Sequence, residues 1–349
     1  MTFVITYAAP GWANDDILVV RFTASGDVDT TFDPPNGFLT YDGGFDDYNW
    51  GVAIQTDGKI VVAGESGNGV DSDLLVLRYN ADGSLDGGFG TGGVVTYDSG
   101  RGDAGLALTI QSDGKIVVAG GSNNGTDHDV LVLRYNADGS LDGGFGAGGV
   151  VTRDCGPYAF GWAVAIQSDG KIVVTGECYT APVHMVDFLV LRYNTDGSPD
   201  NSFDGDGLVG HDTAGGDDAG LAVGIQSDGK IVAAGLRYNG TDDDVGVERL
   251  NTDGSRDAGF GTGFGLIFDA GSVQGDSGWG VAIQSDGKIV VTGDTFSPPP
   301  PPAGGGGGGG CFIATVSNGV NKPKSPFLIF VSSITAIALV VRVREITRL

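Results

Sequence analysis

The stretch GVAIQTDGKIVVAG, residues 51–64, decides the fold. Two runs of small and branched apolar residues flank Asp57-Gly58. An Asp-Gly pair between such runs is a strong hairpin signal, because the turn needs a positive φ that Gly adopts freely. Trp50–Gln55 and Lys59–Gly64 therefore read as two strands of one hairpin. The string Gln-(Ser/Thr)-Asp-Gly-Lys-Ile-Val recurs at Gln55, Gln111, Gln167, Gln226 and Gln284, in steps of 56, 56, 59 and 58 residues. A second anchor, an apolar run closing on Arg, falls at Arg21, Arg78, Arg134, Arg192 and Arg249. A third, Phe after small loop residues, falls at Phe32, Phe89, Phe145, Phe203 and Phe260. Three anchors in one fixed order make residues 1 to about 294 a tandem array.

Each period holds four short apolar runs. In the second copy strand a is Trp50–Gln55, strand b Lys59–Gly64, strand c Leu74–Tyr79 and strand d Val94–Tyr97. No stretch keeps a helical period. Strands b and c are apolar on both faces, which calls for sheets stacked face to face. A four-stranded sheet repeated radially is a β-propeller blade, so the expected fold is all-β, a propeller of five blades. An open β-solenoid-like array is the alternative. Phe3–Tyr7 aligns with strand b, and the array ends on a sixth strand b, Lys288–Asp294. Closure would then set the last strand a, Trp279–Gln284, beside the first b, c and d. Met1 falls inside a repeat whose strand b lacks the Asp-Gly-Lys turn, which suits a piece of a longer array equally well.

Composition narrows the partners. Gly is 64 of 349 residues, and 44 acidic residues face 19 basic ones, for a net charge of −25. Like charge repels nucleic acid and anionic membrane from such a body. Three Cys and three His exclude a disulfide-stapled scaffold and leave little for zinc. His128, His184 and His211 occupy unrelated loop positions, so no Ser-His-Asp arrangement can be built. Cys155 and Cys178 fall on one rim of one blade, where a disulfide is sterically possible.

Three segments are expected: the propeller over 1–296, a Pro/Gly linker over 297–310 and a tail over 311–349. Pro298–Pro302 is stiff and Gly304–Gly310 flexible. The tail contains the apolar run Phe327–Val341, which as a helix spans about 22 Å against the roughly 30 Å of a hydrocarbon core. It reads as a marginal transmembrane or anchoring segment, the route for any membrane attachment. Met1–Trp12 has no basic region ahead of an apolar one, so no signal peptide is visible.

The unit GVAIQSDGKIVVAG…LVLRYNADGSLDGGFG closely resembles the delta-60 repeat of bacterial secreted and surface proteins, over nearly all of residues 3–294. Its order is also similar to NHL-type propeller repeats, where the strand before the Asp-Gly turn lies innermost. The segment GGGGGGGCFIAT resembles the start of the CFI-box C-terminal domain, with a degenerate continuation at Val316–Gly319. The delta-60 resemblance implies a β-propeller-like fold and an extracellular or cell-envelope location in a bacterium. It implies no activity.

An Asp stands three residues before the Trp or Leu of strand a in four copies: Asp47, Asp103, Asp218 and Asp276; the third copy has Ala159. With strand a innermost, these four would ring one mouth of a central channel. Clustered carboxylates are hard ligands suited to Ca²⁺. The plainer reading has each Asp accepting amides of its own loop. Asn80–Asp86 resembles part of a calcium loop but lacks the first ligand and the final Glu, so it reads as an Asx turn. Arg101-Gly102-Asp103 matches an integrin-type tripeptide, and Asn124-Gly125-Thr126 and Asn239-Gly240-Thr241 are formal glycosylation sequons. The d–a and b–c loops share one acidic rim, including Asp71-Ser72-Asp73, Asp127-His128-Asp129 and Asp242-Asp243-Asp244. Trp50, Trp162 and Trp279 alternate with Leu106 and Leu221 and read as core filling. The recurring Arg of strand c is expected to pair with an Asp between blades.

The expected function is a non-enzymatic, secreted or envelope-associated binding or scaffold protein, meeting a protein or glycan at its acidic rim. No cofactor is required, and Ca²⁺ is the one candidate. The alternative is a metal-dependent hydrolase using Asp47, Asp103, Asp218 and Asp276 at the channel mouth.

Overall fold

A computed structural model describes residues 3–9, 14–180, 185–211, 216–261, 265–269 and 275–295. The linker, Cys311, the CFI-box-like segment and the apolar run 327–341 lie outside the described residues. The array is all-β and antiparallel. Sheet one holds β1 (Phe3–Ala9), β2 (Asp16–Phe22) and β3 (Phe38–Tyr41). Sheet two holds β4 (Asp47–Ile54), β5 (Ile60–Gly67), β6 (Ser72–Tyr79) and β7 (Val94–Tyr97). Sheet three holds β8 (Asp103–Ile110), β9 (Ile116–Asn123), β10 (His128–Tyr135) and β11 (Val150–Arg153). Sheet four holds β12 (Ala159–Ile166), β13 (Ile172–Thr180), β14 (Met185–Tyr193) and β15 (Leu208–His211). Sheet five holds β16 (Ala219–Ile225), β17 (Ile231–Tyr238), β18 (Asp243–Leu250) and β19 (Leu266–Phe268). Sheet six is the pair β20 (Asp276–Ile283) and β21 (Ile289–Thr295).

The blade pattern a-b-c-d is as the periodicity predicts, but strand a starts three residues earlier, at Asp47 instead of Trp50. The early start is made possible by a bulge at each Trp or Leu: Asn49 pairs with Gly64 and Gly51 with Ala63, leaving Trp50 extra. The same shift recurs at Leu106, Trp162, Leu221 and Trp279. This bulge explains the Gly of the repeated Val-Ala-Gly or Val-Thr-Gly. A Cβ on Gly64 or Gly120 would sit 1.9 Å from the carbonyl oxygen of Tyr48 or Ala104. Only a residue without a side chain lets strand a cross there.

The core lies between successive sheets. Val61, Ala63, Leu74 and Val76 of sheet two interlock with Ile116, Val118, Leu131 and Leu133 of sheet three. The opposite face of sheet three, Val117, Ala119, Val130 and Val132, meets Ile172, Val174, Leu189 and Leu191 of sheet four. Strands b and c are thus buried on both faces, as their composition requires. Ring closure is different. Among the described residues β20 and β21 pair with each other, and no backbone pairing joins them to β1. The expected closure of strand a onto the first sheet is not formed.

The repeated Arg also departs from expectation. Arg134 Nε donates to Asp142 Oδ2 at 2.7 Å, within its own sheet's c–d connection rather than between blades. Lys115 Nζ reaches the same carboxylate at 2.9 Å, and the guanidinium lies 4.5 Å over the Phe145 ring. The contact that does cross to the next blade is Arg134 Nη1 to the Thr195 carbonyl. Arg78 and Arg192 repeat this arrangement with Asp86 and Phe89, and with Asp200 and Phe203. The three anchors found in the sequence are one interaction unit. An eight-residue separation places Arg and Asp together across the c–d turn, and the Phe covers them.

Candidate metal centre

Strand a lies obliquely on the preceding sheet: β8 packs on β4, β5 and β6, and β12 on β8, β9 and β10. Its first residue therefore sits over the start of the previous strand c. Asp47 N donates to the Asp15 carbonyl at 2.7 Å, just before β2. The consequence is a group that the sequence reading did not assemble. Asp47, Asp16 at the start of β2 and Asp42 after β3 bring carboxylate oxygens within 4.8 Å of one another. Asp276, Asp244 and Asp269 do the same between sheets five and six. Asp103, Asp73 and Asp98 occupy the equivalent positions between sheets two and three; burial, then the charges of Asp98, Asp71 and Asp103, raise Asp73 against the Asn68 hydrogen bond.

These carboxylates are costly as they stand. Asp47 is fully buried. Its Oδ2 accepts the Gly43 amide at 2.5 Å, while Oδ1 has no hydrogen-bond partner. Burial pushes the Asp47 carboxyl above the ordinary range; the Ser66 hydroxyl beside it and the Gly43 amide oppose this, and the charges of Asp16 and Asp42 add to it. Burial, then Asp42 and Asp15, raise Asp16 as well. Asp103 Oδ2 accepts the Ser99 amide at 2.7 Å, and its Oδ1 is likewise buried and unpartnered. The plainer expectation, an Asp satisfied by its own loop, is thus met at one oxygen of each and not at the other. Asp218 accepts the Tyr238 amide at 2.8 Å.

Asp47, Asp103 and Asp276 each lie at the junction with the preceding sheet, beside carboxylates of that sheet. The Asn80–Asp86 connection is an Asx turn, as read: Asp82 Oδ1 accepts the Ser84 amide at 3.0 Å and its hydroxyl at 2.6 Å. Asp103 is buried, so Arg101-Gly102-Asp103 does not present its carboxylate. Cys155 and Cys178 are both free thiols, with Cys178 Sγ donating to the Cys155 carbonyl. The tryptophans are not uniform core: Leu106 and Leu221 are buried, whereas Trp50, Trp162 and Trp279 are half-buried. The missed partners Asp42, Asp98 and Asp269 carried a findable signal, an Asp just after every strand d.

The repeats match a known family. The matching description is a domain of unknown function (DUF5122) beta-propeller, over residues 11–32, 55–89, 111–145, 167–203 and 226–260. The four complete matches run from the a–b turn to the Phe of the Arg–Asp–Phe unit. They leave out Asp47, Asp103, Asp218 and Asp276. No curated protein matches the chain. Among solved structures, similarity extends to the periplasmic gluconolactonase PpgL of Pseudomonas aeruginosa, at TM-score 0.48 and 16% identity over 84% of this chain and 77% of that one. The PQQ-bound aldose sugar dehydrogenase of Streptomyces coelicolor follows at 0.41 and 15%, over 70% and 74%. Drosophila Plexin A in complex with Semaphorin 1b is similar at 0.36 and 11%, over 72% and 52%. At such identities the similarity concerns the fold alone. The expectation of a non-enzymatic protein is corrected to this extent: a propeller-like fold by itself does not exclude catalysis.

Proposed function

We propose that the array binds divalent cations of the Ca²⁺ type at its acidic blade junctions, and that the cation ties consecutive sheets together. One observation carries this reading: Asp47 is fully buried with an unpartnered Oδ1, beside two further carboxylates on the preceding sheet. A buried carboxylate with one oxygen left unpaired is unfavourable, and a hard cation with oxygen ligands relieves it. Asp16, Asp42 and Asp47 would hold one ion, and Asp244, Asp269 and Asp276 another. Carbonyls and water would complete the coordination, as is usual for Ca²⁺. The reading goes with an extracellular or envelope location, where modules of this kind bind at about 10⁻⁴–10⁻³ M.

The test is thermal unfolding of the full chain in EDTA, in Ca²⁺ and in Mg²⁺. With Kd near 1 mM, about 10 mM Ca²⁺ stabilises by about 1.4 kcal/mol per site. At about 2–4 °C per kcal/mol, two sites raise Tm by about 6–11 °C. Asp47→Asn is expected to raise the Tm in EDTA and to remove about half of the Ca²⁺ increment. An unchanged Tm in Ca²⁺ sinks the reading.

A further inference from the structure

The junction between sheets three and four differs from the others. Strand a opens there with Ala159 where an Asp stands elsewhere. In place of a third carboxylate it has rings. His128 at the start of β10 stacks on Phe160 of β12, with centroids 5.2 Å apart and planes at 29°. Tyr158, in the loop before β12, lies 4.7 Å from Phe160 and 6.0 Å from His128. Trp162 continues the row 6.0 Å beyond Phe160. A backbone bridge between His128 and Tyr158 ties the b–c loop of one sheet to the d–a loop of the next.

The rest of the junction is adapted to these rings. At the strand b position of Glu65, Glu177, Leu236 and Asp294, sheet three has Gly121. A Cβ there would come within 2.4 Å of the Phe160 ring, so Gly121 is the seat of Phe160. Tyr158 remains 41% exposed. Glu177 pairs with Phe160 across β12 and β13, lies beside the Trp162 indole, and is half-buried. A core cluster would have hidden its tyrosine. This one lies on the acidic rim, with an edge open to solvent.

We infer that the ladder Tyr158–Phe160–Trp162, with His128 and Glu177, is a stacking site for a neutral saccharide. Tyr158 is tilted 55° to Phe160, and Phe160 32° to Trp162. The face open to the C–H groups of a sugar ring is therefore that of the exposed Tyr158. The neighbouring carboxyl hydrogen-bonds sugar hydroxyls, the usual division between apolar lining and a few polar groups. The ring geometry excludes the main competitor. An ammonium cage needs room between its aromatic faces, whereas these centroids are already 4.7–6.0 Å apart. A ligand must therefore lie along the row. Charge selects among stacking ligands: Asp127, Asp129 and Asp154 lie close to one another beside His128, so nucleotides and uronates are repelled. The inference is independent of the proposed cation sites, since this junction lacks their third Asp.

The test is calorimetric titration of the full chain with cellohexaose, maltohexaose, xylohexaose and chitohexaose, and with hexagalacturonate as the anionic control. One of the neutral hexasaccharides is expected to bind with Kd of about 1 mM or tighter. Tyr158→Ala, at the exposed end, is expected to weaken it at least about ten-fold without moving Tm, and Trp50→Phe to leave it unchanged. Failure of all four neutral sugars at about 10 mM overturns the inference. So does equal binding of hexagalacturonate, or full retention of affinity in Tyr158→Ala.

Discussion

Replacing Arg134 by Leu tests whether the Arg–Asp–Phe unit holds neighbouring blades together. The side chain is 7% exposed, bonds Asp142 at 2.7 Å, stacks over Phe145 at 4.5 Å and bonds the Thr195 carbonyl of the next sheet. Hydrogen bonds of a charged group contribute about 1.5–3 kcal/mol each, and a desolvated cation–π contact up to about 2. Simple addition overshoots, because Leu keeps the apolar stem and Lys115 still neutralises Asp142. A loss of about 3–5 kcal/mol remains, the range for breaking a buried pair. Arg249, 21% exposed near the end of the array, bonds Asp257 in the same way and should lose only about 1 kcal/mol as Arg249→Leu. Urea unfolding followed by tryptophan fluorescence measures both. Equal losses at the two positions, or less than about 1 kcal/mol at Arg134, would refute the reasoning.

Further outcomes follow from the same structure. Gly120→Ala puts a methyl 1.9 Å from the Ala104 carbonyl and should prevent soluble folding or cost more than about 4 kcal/mol, whereas Gly87→Ala, with open space around its Cβ, should leave Tm almost unchanged. Burial pushes the Glu177 carboxyl up to about 7, above its unfolded value, so its share of stability is present at low pH and is lost as pH rises toward 7. Glu177→Gln should therefore gain about 1–2 kcal/mol on wild type at pH 8, allowing for its half-buried state, and a difference in Tm that does not grow between pH 5 and 8 would contradict this. Asp142 moves oppositely: the Lys115 hydrogen bond leads in holding it down to about 2, with Arg134 contributing, so its stabilisation is complete above its unfolded pKa and disappears as pH falls through about 2. Circular dichroism should show an acid transition in that interval that moves to higher pH in Lys115→Met. The hydrogen bond to Cys178, followed by burial, pushes the Cys155 thiol well above the ordinary range, so this thiol should react with a disulfide reagent at pH 7.5 only after denaturation. Fast reaction of the folded chain would count against that environment.

The repeat, the four strands of each blade, the all-β architecture and the hairpin at the Asp-Gly of each Gln-(Ser/Thr)-Asp-Gly-Lys string are legible in the sequence. These are local facts: turn chemistry at Gly58 and its equivalents, and apolar runs of fixed spacing. The sequence also singled out the Arg and Phe positions that prove to be one unit with Asp86 and its equivalents, because that unit closes locally, with Phe89 eleven positions after Arg78. What tertiary structure alone decided was which residues meet across sheets. Strand a packs on the preceding sheet, and this brings Asp47 into a group with Asp16 and Asp42. Asp16 and Asp47 come from different sheets, so no periodicity within one repeat could pair them. The ladder was hidden for the same reason: His128 belongs to sheet three and Phe160 to sheet four, and only the absent side chain of Gly121 lets the two rings stack.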